Sequence, residues 1–220
     1  MMTRSAFQLH VITDGIRQVE ELKTIVRLAV QGGADVIQLR YKSAPALDLF
    51  RLGAEIHPLI QQEGGRLLIN DRADVALALD AGGVHLAAKS LPIASARPLF
   101  LPEKWIGCSV HSVEEALDAQ EQGATYITYG HIFATGSKPG LPPRGLDALR
   151  KVVEAVEIPV LAIGGITTDN IEDVLATGAA GIAVISAVMA DGDPKRAALA
   201  LREKMDASAH RPLHELPGGY

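Results

Sequence analysis

Hydrophobic runs rich in Val, Ile and Leu recur along the chain, and amphipathic stretches separate them. The runs are short and β-branched, which is typical of buried strands. They predict strands at 7–13, 36–40, 66–70, 83–87, 105–110, 126–131, 159–164 and 181–186. The stretches between them carry apolar residues at helical spacing, most clearly at 19–31, 47–62, 113–122 and 170–177. The pattern therefore predicts eight strands that alternate with helices.

Eight alternations of this kind are compatible with a closed barrel or with a doubly wound open sheet. The open sheet usually carries a glycine-rich dinucleotide turn after its first strand, and the stretch 12–15 has no such turn. We therefore predict an α/β fold, a single (β/α)8 TIM barrel that spans residues 1–206. The polar segment 207–220 is expected to be a flexible C-terminal tail.

Composition and charge narrow the classes of protein further. Hydrophobic residues make up 48% of the chain and aromatic residues 4%, so the core must consist mostly of aliphatic side chains. The formal net charge of −5 argues against a nucleic-acid partner. No apolar run approaches the length of a membrane span and no signal pattern is found, so no membrane partner is expected. The single cysteine, Cys108, excludes an intrachain disulfide and favours a cytoplasmic location.

Polar side chains stand at the ends of successive predicted strands. In a barrel of this kind the functional residues lie at the C-terminal strand ends and in the loops that follow. The positions are Arg40, Lys42, Asn70, Asp71, His85, Ser109, His111 and His131. Each alone is weak evidence, because polar residues are common at strand ends. Together they place cations, amides and imidazoles around one mouth.

The seventh and eighth strand ends carry glycine and serine. These two loops are the usual phosphate cradle of the barrel, because glycine lets backbone N–H groups approach an anion closely. We therefore predict that Gly164, Gly165, Ile185 and Ser186 bind a phosphate. A plain tight turn at Gly164 and Gly165 is the alternative.

His131 follows the sixth strand and is a candidate for proton transfer. Imidazole titrates near neutrality and can both take and return a proton. A structural histidine that hydrogen-bonds a neighbouring loop is an equal alternative. The next loop contains Thr135, Ser137 and Lys138, and it is compatible either with a lid over a bound anion or with a plain solvated loop.

Several of these stretches, in order along residues 7–205, resemble the thiamine phosphate synthase superfamily. The matching stretches are 36–40, 68–72, 83–86, 109–112, 163–166 and 184–187. The superfamily has two branches. One is the synthase, a transferase that joins a pyrimidine diphosphate to a thiazole phosphate and uses magnesium to neutralise the leaving pyrophosphate. The other is the thiazole tautomerase, usually called TenI.

The two branches differ at the candidate metal and proton-transfer positions. One magnesium carboxylate of the synthase matches Asp71, but the synthase's acidic pair is replaced here by Lys89 and Ser90. Synthases usually have proline where this chain has His131, and the stretch 129–133 is similar to the tautomerase. The chain is therefore identified as a member of the tautomerase branch.

The resemblance implies a thiazole tautomerase of thiamine biosynthesis. The implied reaction converts 2-(2-carboxy-4-methylthiazol-5(2H)-ylidene)ethyl phosphate into the aromatic 2-(2-carboxy-4-methylthiazol-5-yl)ethyl phosphate. His131 would be the catalytic residue that carries the proton. The small phosphorylated thiazole substrate would be bound by Arg40, Lys42, Asn70, Ser109, Thr135, Ser137 and Lys138. Neither a metal nor an organic cofactor is expected, because aromatisation drives the step.

Two alternatives stay open at this point. The first is the thiamine phosphate synthase itself, a magnesium-dependent transferase. The second is a regulator that binds a thiazole phosphate without catalysis. A homo-oligomer is a further expectation, because barrels of this type often pair through their helices.

Overall fold

The computed structural model describes residues 6–138 and 140–217, and within them eight parallel strands close into one barrel. The strands are β1 (Gln8–Ile12), β2 (Val36–Leu39), β3 (Arg66–Asn70), β4 (Gly83–Leu86), β5 (Trp105–Val110), β6 (Tyr126–Gly130), β7 (Val160–Ile163) and β8 (Gly181–Val184). Each strand pairs with the next, and β8 pairs with β1. The predicted (β/α)8 barrel is confirmed, and every predicted strand overlaps an observed one.

Helices cover the outer face of this barrel. They are α1 (Val19–Gln31), α2 (Ala46–Gln62), α3 (Ala73–Ala78), α4 (Ile93–Ala96), α5 (Val113–Glu121), α6 (Gly145–Ala155), α7 (Ile171–Leu175), α8 (Ser186–Met189) and α9 (Pro194–Ala207), with a 3-10 turn at Arg97–Leu99. In α1 the buried Leu22, Ile25, Val26 and Ala29 follow helical spacing and face the strands. None of the described helices has the length and apolar character that crossing a membrane requires.

Large side chains fill the barrel at its N-terminal end. We call this group the basal cluster; it contains Val36, Leu68, Trp105, Tyr126, Leu161, Ala180 and Leu216. His10 stacks on Trp105 with ring centroids 6.3 Å apart and meets Tyr126 edge-on at 5.3 Å. Both nitrogens of the buried His10 ring lack a hydrogen-bond partner among the described residues. The basal cluster closes this end, so a ligand would enter from the other end.

The segment after α9 lies against the basal cluster. The Leu213 N–H donates to the Gly178 carbonyl at 2.9 Å, and Leu216 is 8% exposed. The sequence predicts this segment as a flexible tail. Its flexibility and the boundary at 206 stay predictions, and residues 218–220 lie outside the described part. The observed contacts place a stretch of the tail inside the hydrophobic packing of the barrel.

A buried ion pair ties α9 to the beginning of the sheet. Arg202 Nη2 lies 3.3 Å from Asp35 Oδ2 and donates to the Phe7 carbonyl at 2.9 Å. The same Asp35 oxygen also accepts the Leu9 N–H at 2.7 Å. A charge pair withdrawn from water is tolerated when hydrogen bonds of this quality accompany it. The last long helix is thereby locked to β1.

Candidate active site

The C-terminal ends of the strands surround an open cleft of about 840 Å³. Every site residue predicted from the sequence lines this cleft. These residues are Arg40, Lys42, Asn70, Ser109, His131, Thr135, Ser137, Lys138, Gly164, Gly165, Ile185 and Ser186. Parallel strands bring residues that are distant in sequence to one edge, which explains the convergence. The binding role of each residue stays a prediction.

The loops after β7 and β8 form what we call the glycine half of the mouth. Gly164 and Gly165 have φ values of 100° and 69°, a conformation that favours glycine. A Cβ on Gly164 would lie 2.3 Å from the His131 Cβ, and one on Gly165 would lie 2.5 Å from the Ala134 carbonyl oxygen. The Asn170 side chain donates to the Gly165 carbonyl at 2.9 Å and braces the loop. The two glycines therefore let this loop pack directly against the loop after β6.

The glycine half offers backbone donors to the cleft. Within the described residues, the N–H groups of Gly165 and Ser186 have no backbone or side-chain acceptor. The exposed Ser186 adds a hydroxyl beside them. Such donors can hold a phosphate oxygen without a cationic side chain.

The loops after β2, β3 and β4 form the opposite side, which we call the cationic half. A chain of side-chain hydrogen bonds runs across its base. Gln38 Nε2 donates to Asn70 Oδ1 at 2.7 Å, and Asn70 Nδ2 donates to Asp71 Oδ2 at 2.6 Å. The Ser90 hydroxyl donates to the other oxygen, Asp71 Oδ1. Both carboxylate oxygens of Asp71 are therefore engaged.

Positive charge dominates the cleft. Arg40, Lys42, Lys89 and Lys138 line it, and Asp71 is the only acidic residue among its described lining. None of the four cations forms an ion pair with another described residue. Burial lowers the pKa of the half-buried Arg40, against the opposing effect of the Asp71 charge. An anionic ligand would compensate this desolvated charge.

A column of polar side chains descends from the cleft into the barrel. His85 Nε2 lies 2.9 Å from Ser109 Oγ, and His85 Nδ1 lies 3.0 Å from the Tyr126 hydroxyl. Ser109 Oγ is in turn 3.2 Å from Thr128 Oγ1. Burial lowers the pKa of His85 to about 4, so its ring is neutral and donates from one nitrogen while it accepts at the other. The column holds the floor of the cleft in place.

Sequence reasoning missed Gln38 and Thr128, which also line the cleft. The predicted site residues came from strand ends and the loops that follow them, whereas Gln38 and Thr128 lie inside β2 and β6. The signal that could have found them is a polar residue at an inward-facing position of a buried strand. The buried Gln38 Oε1 has no partner among the described residues and can accept a ligand N–H group.

His131 is nearly buried and holds the loop that follows it. Its Nε2–H donates to the Leu141 carbonyl at 3.2 Å, and its own carbonyl accepts the Arg144 N–H at 2.9 Å. These bonds fasten the loop containing Lys138 beside the mouth. Pro139 in the same loop lies outside the described residues. Burial and the charges of Lys138 and Arg144 lower the pKa of the neighbouring His111.

The closed barrel and its positively charged mouth together define a (β/α)8-barrel protein whose cleft is suited to an anionic ligand. The chain belongs to the thiamine monophosphate synthase family, whose model matches residues 9–188. The thiamine-phosphate synthase of Chlorobium luteolum is 48% identical over 201 residues, which are 91% of this chain and 93% of that protein. The thiamine-phosphate synthase of Pyrococcus furiosus is 44% identical over 203 residues, which are 92% of this chain and 97% of that protein. A solved thiamine phosphate pyrophosphorylase from Pyrococcus furiosus has a TM-score of 0.81 at 43% identity and covers 92% of this chain and 97% of its own.

These relatives correct the tautomerase assignment. They are named synthases, and their similarity extends over nearly the whole chain. The tautomerase prediction rested on a few short stretches, among them 129–133, and on the residues at 89 and 90. The prediction of an isomerase is therefore wrong, whereas membership of the superfamily is confirmed. The expectation of an enzyme agrees with the relatives.

Proposed function

We propose that the protein is a thiamine-phosphate synthase, a transferase that joins a pyrimidine diphosphate to a thiazole phosphate and releases pyrophosphate. One observation carries the proposal: a single cleft presents two anion-receiving surfaces on opposite sides. The glycine half lies at β7 and β8, and the cationic half lies at β2, β3 and β4, across the ring of eight strands. A reaction that joins two phosphorylated molecules needs both surfaces.

The glycine half is suited to the phosphate monoester of the thiazole. The free N–H groups of Gly165 and Ser186 and the Ser186 hydroxyl would surround its oxygens, with Gly164 and Ile185 beside them. Backbone N–H groups and a hydroxyl can hold the oxygens of a phosphate monoester without a cationic side chain. This placement retains the phosphate site predicted from the sequence.

The cationic half is suited to the pyrimidine diphosphate. Arg40 and Lys42 would contact the diphosphate, and Lys138 would approach from the loop after β6. Fixed positive groups stabilise the negative charge that develops on the leaving pyrophosphate. The unpartnered Gln38 Oε1 would accept an N–H group of the pyrimidine. In this proposal His131 positions the loop of Lys138 through its bond to the Leu141 carbonyl.

Magnesium, which the resemblance implies for the synthase branch, does not fit the residues present. Magnesium prefers several oxygen ligands in near-octahedral geometry. Both oxygens of Asp71 are already engaged by Asn70 and Ser90, and no second carboxylate lines the described cleft. Nowhere in residues 6–138 and 140–217 do three or more His, Cys, Asp or Glu side chains come together as a metal site.

The test is direct formation of the product. Purified protein is mixed with the pyrimidine diphosphate and the thiazole phosphate, and thiamine phosphate and pyrophosphate are quantified over time. We expect equal amounts of the two products. A protein that binds both substrates yet forms neither product would contradict the proposal and would instead be a non-catalytic binding protein. The cytoplasmic location and the homo-oligomer expected from the sequence stay predictions.

A further inference from the structure

The loop after β4 places a lysine where the family resemblance implies an acidic residue. The exposed Lys89 lines the cleft, and Ser90 follows it. The Ser90 hydroxyl donates to Asp71 Oδ1, and Ser90 Oγ accepts the Ala87 N–H at 2.8 Å. These bonds fasten the loop to the end of β3. Lys89 is therefore presented at the rim of the cleft from a fixed base.

The charges around Lys89 favour an anion over a metal cation. Strands β2, β3 and β4 are neighbours in the barrel, and their ends bring Arg40, Lys42 and Lys89 to one side of the mouth. A divalent cation there would be repelled by three positive groups. It would also have to displace Asn70 and Ser90 from the single carboxylate of Asp71. A diphosphate, by contrast, would be attracted by these three cations, which form no ion pairs with described residues.

We propose that the cationic half binds the substrate diphosphate without a divalent metal, with Lys89 supplying positive charge in place of the ion. The inference rests on the proposed function. In the transfer step the electron pair of the thiazole nitrogen forms a C–N bond at the pyrimidine methylene carbon. The C–O bond to the diphosphate breaks, and its electron pair leaves with pyrophosphate. The step needs no oxidant or reductant, and the ammonium of Lys89 stabilises the charge on the leaving group.

The first test is calorimetric titration of inorganic pyrophosphate into the full-length protein in the presence of EDTA. The wild type is expected to bind under these conditions. Lys89→Ala is expected to weaken binding about tenfold, because one charge-assisted contact is lost. The matched control Lys151→Ala removes an exposed lysine on α6, away from the cleft, and should leave the affinity unchanged. Binding that appears only after MgCl2 is added, or an unchanged affinity in Lys89→Ala, would overturn the inference.

The converse variant restores an acidic pair. Ser90 touches Asp71, so in Lys89→Glu/Ser90→Asp a new carboxylate would stand beside the existing one and the pair could hold magnesium. We expect this double variant to lose pyrophosphate binding in EDTA and to recover it with MgCl2. Thermal unfolding of each variant establishes that it is folded. If the folded double variant still binds in EDTA as the wild type does, Lys89 does not replace the metal.

Product assays separate this inference from the proposed function. If thiamine phosphate forms in MgCl2 and not in EDTA, the synthase proposal is supported and the proposal of a metal-free site is contradicted. If pyrophosphate binds in EDTA but no thiamine phosphate forms under either condition, the synthase proposal is contradicted and the metal-free diphosphate site is supported. If both the synthase proposal and the metal-free site are correct, thiamine phosphate is expected to form at equal rates in EDTA and in MgCl2.

Discussion

At the N-terminal end of the barrel the guanidinium of Arg202 lies 3.3 Å from the Asp35 carboxylate, whereas at the C-terminal end the half-buried Arg40 forms no ion pair with a described residue. Both residues carry the same positive group. The first is paired across the junction of α9 with the sheet, where it holds the fold together. The second forms no ion pair at the mouth, where partial burial lowers its pKa despite the nearby Asp71 charge and a bound anion would compensate its charge. The difference between the two arginines teaches that a partly buried charge without an ion pair, more than charge itself, marks the end of the barrel that carries the cleft.

Removal of the carboxylate at the N-terminal end should have the largest effect. Asp35→Ala leaves the buried Arg202 without this partner and the Leu9 N–H without its acceptor. We expect the free energy of unfolding to fall by about 3–5 kcal/mol, as for other broken buried pairs. Denaturant unfolding followed by circular dichroism measures this change. Asp147→Ala, which breaks the exposed pair with Arg150, is the matched control and should be close to neutral. Equal stabilities of the two variants would contradict the comparison.

The second-largest effect is a loss of folding stability at acid pH, which arises from the buried His10. Burial, then the charges of His85 and Arg66, lower the pKa of His10 to about 3, while Trp105 and Tyr126 pack against its ring. The unfolded chain takes up this proton near pH 6.5 and the folded chain does not, so stability is lost as the pH falls from 6.5 towards 3. His85, with its pKa lowered to about 4, acts in the same direction.

His10→Phe should weaken this pH dependence. Between pH 7 and pH 4 the variant should lose about 3 kcal/mol less unfolding free energy than the wild type, at about 1.4 kcal/mol for each pKa unit. Denaturant titrations at the two pH values provide the measurement, with the exposed His210→Gln as control. An identical loss in the wild type and His10→Phe would show that His10 does not carry the effect.

The smallest effect concerns the glycine half of the mouth. Ser186→Asp places a carboxylate beside the N–H groups predicted to hold a phosphate, and like charges repel. We expect the affinity for the thiazole phosphate to fall by about tenfold to a hundredfold, roughly 1.4–2.8 kcal/mol. Unfolding stability should change little, because Ser186 is exposed. Calorimetry with Ser186→Asn as control tests the prediction. Unchanged binding by Ser186→Asp would contradict the placement of the phosphate at the glycine half.

The barrel was predictable from sequence because each strand is a short apolar run, whereas apolar residues in the segments between the strands recur at helical spacing. The cleft was predictable for the same reason: once the strand ends are known, parallel topology brings Arg40, Asn70 and Ser186 to one edge. The inward-facing Gln38 was missed, because a single polar residue inside an apolar run does not reveal which face of the strand it occupies.

Contacts between distant segments could not be predicted. Asp35 and Arg202 are 167 residues apart, and nothing in either local sequence indicates the pair. Leu216 stands in a polar stretch that predicts a loose tail, yet it packs in the basal cluster. The error in assigning the branch has a related cause. The short stretch around His131 received more weight than similarity over the whole chain, although a histidine at a strand end can equally fasten a loop, as its bond to Leu141 does here.

The packing of Leu216 has a practical consequence for handling the protein. Leu216 lies at the basal end, on the opposite side of the barrel from the cleft. A tether to a sensor chip, attached to an exposed residue beside Leu216, would anchor the molecule by its base. The mouth would then face the bulk solution, and immobilised protein could be assayed for ligand capture without obstruction by its own attachment.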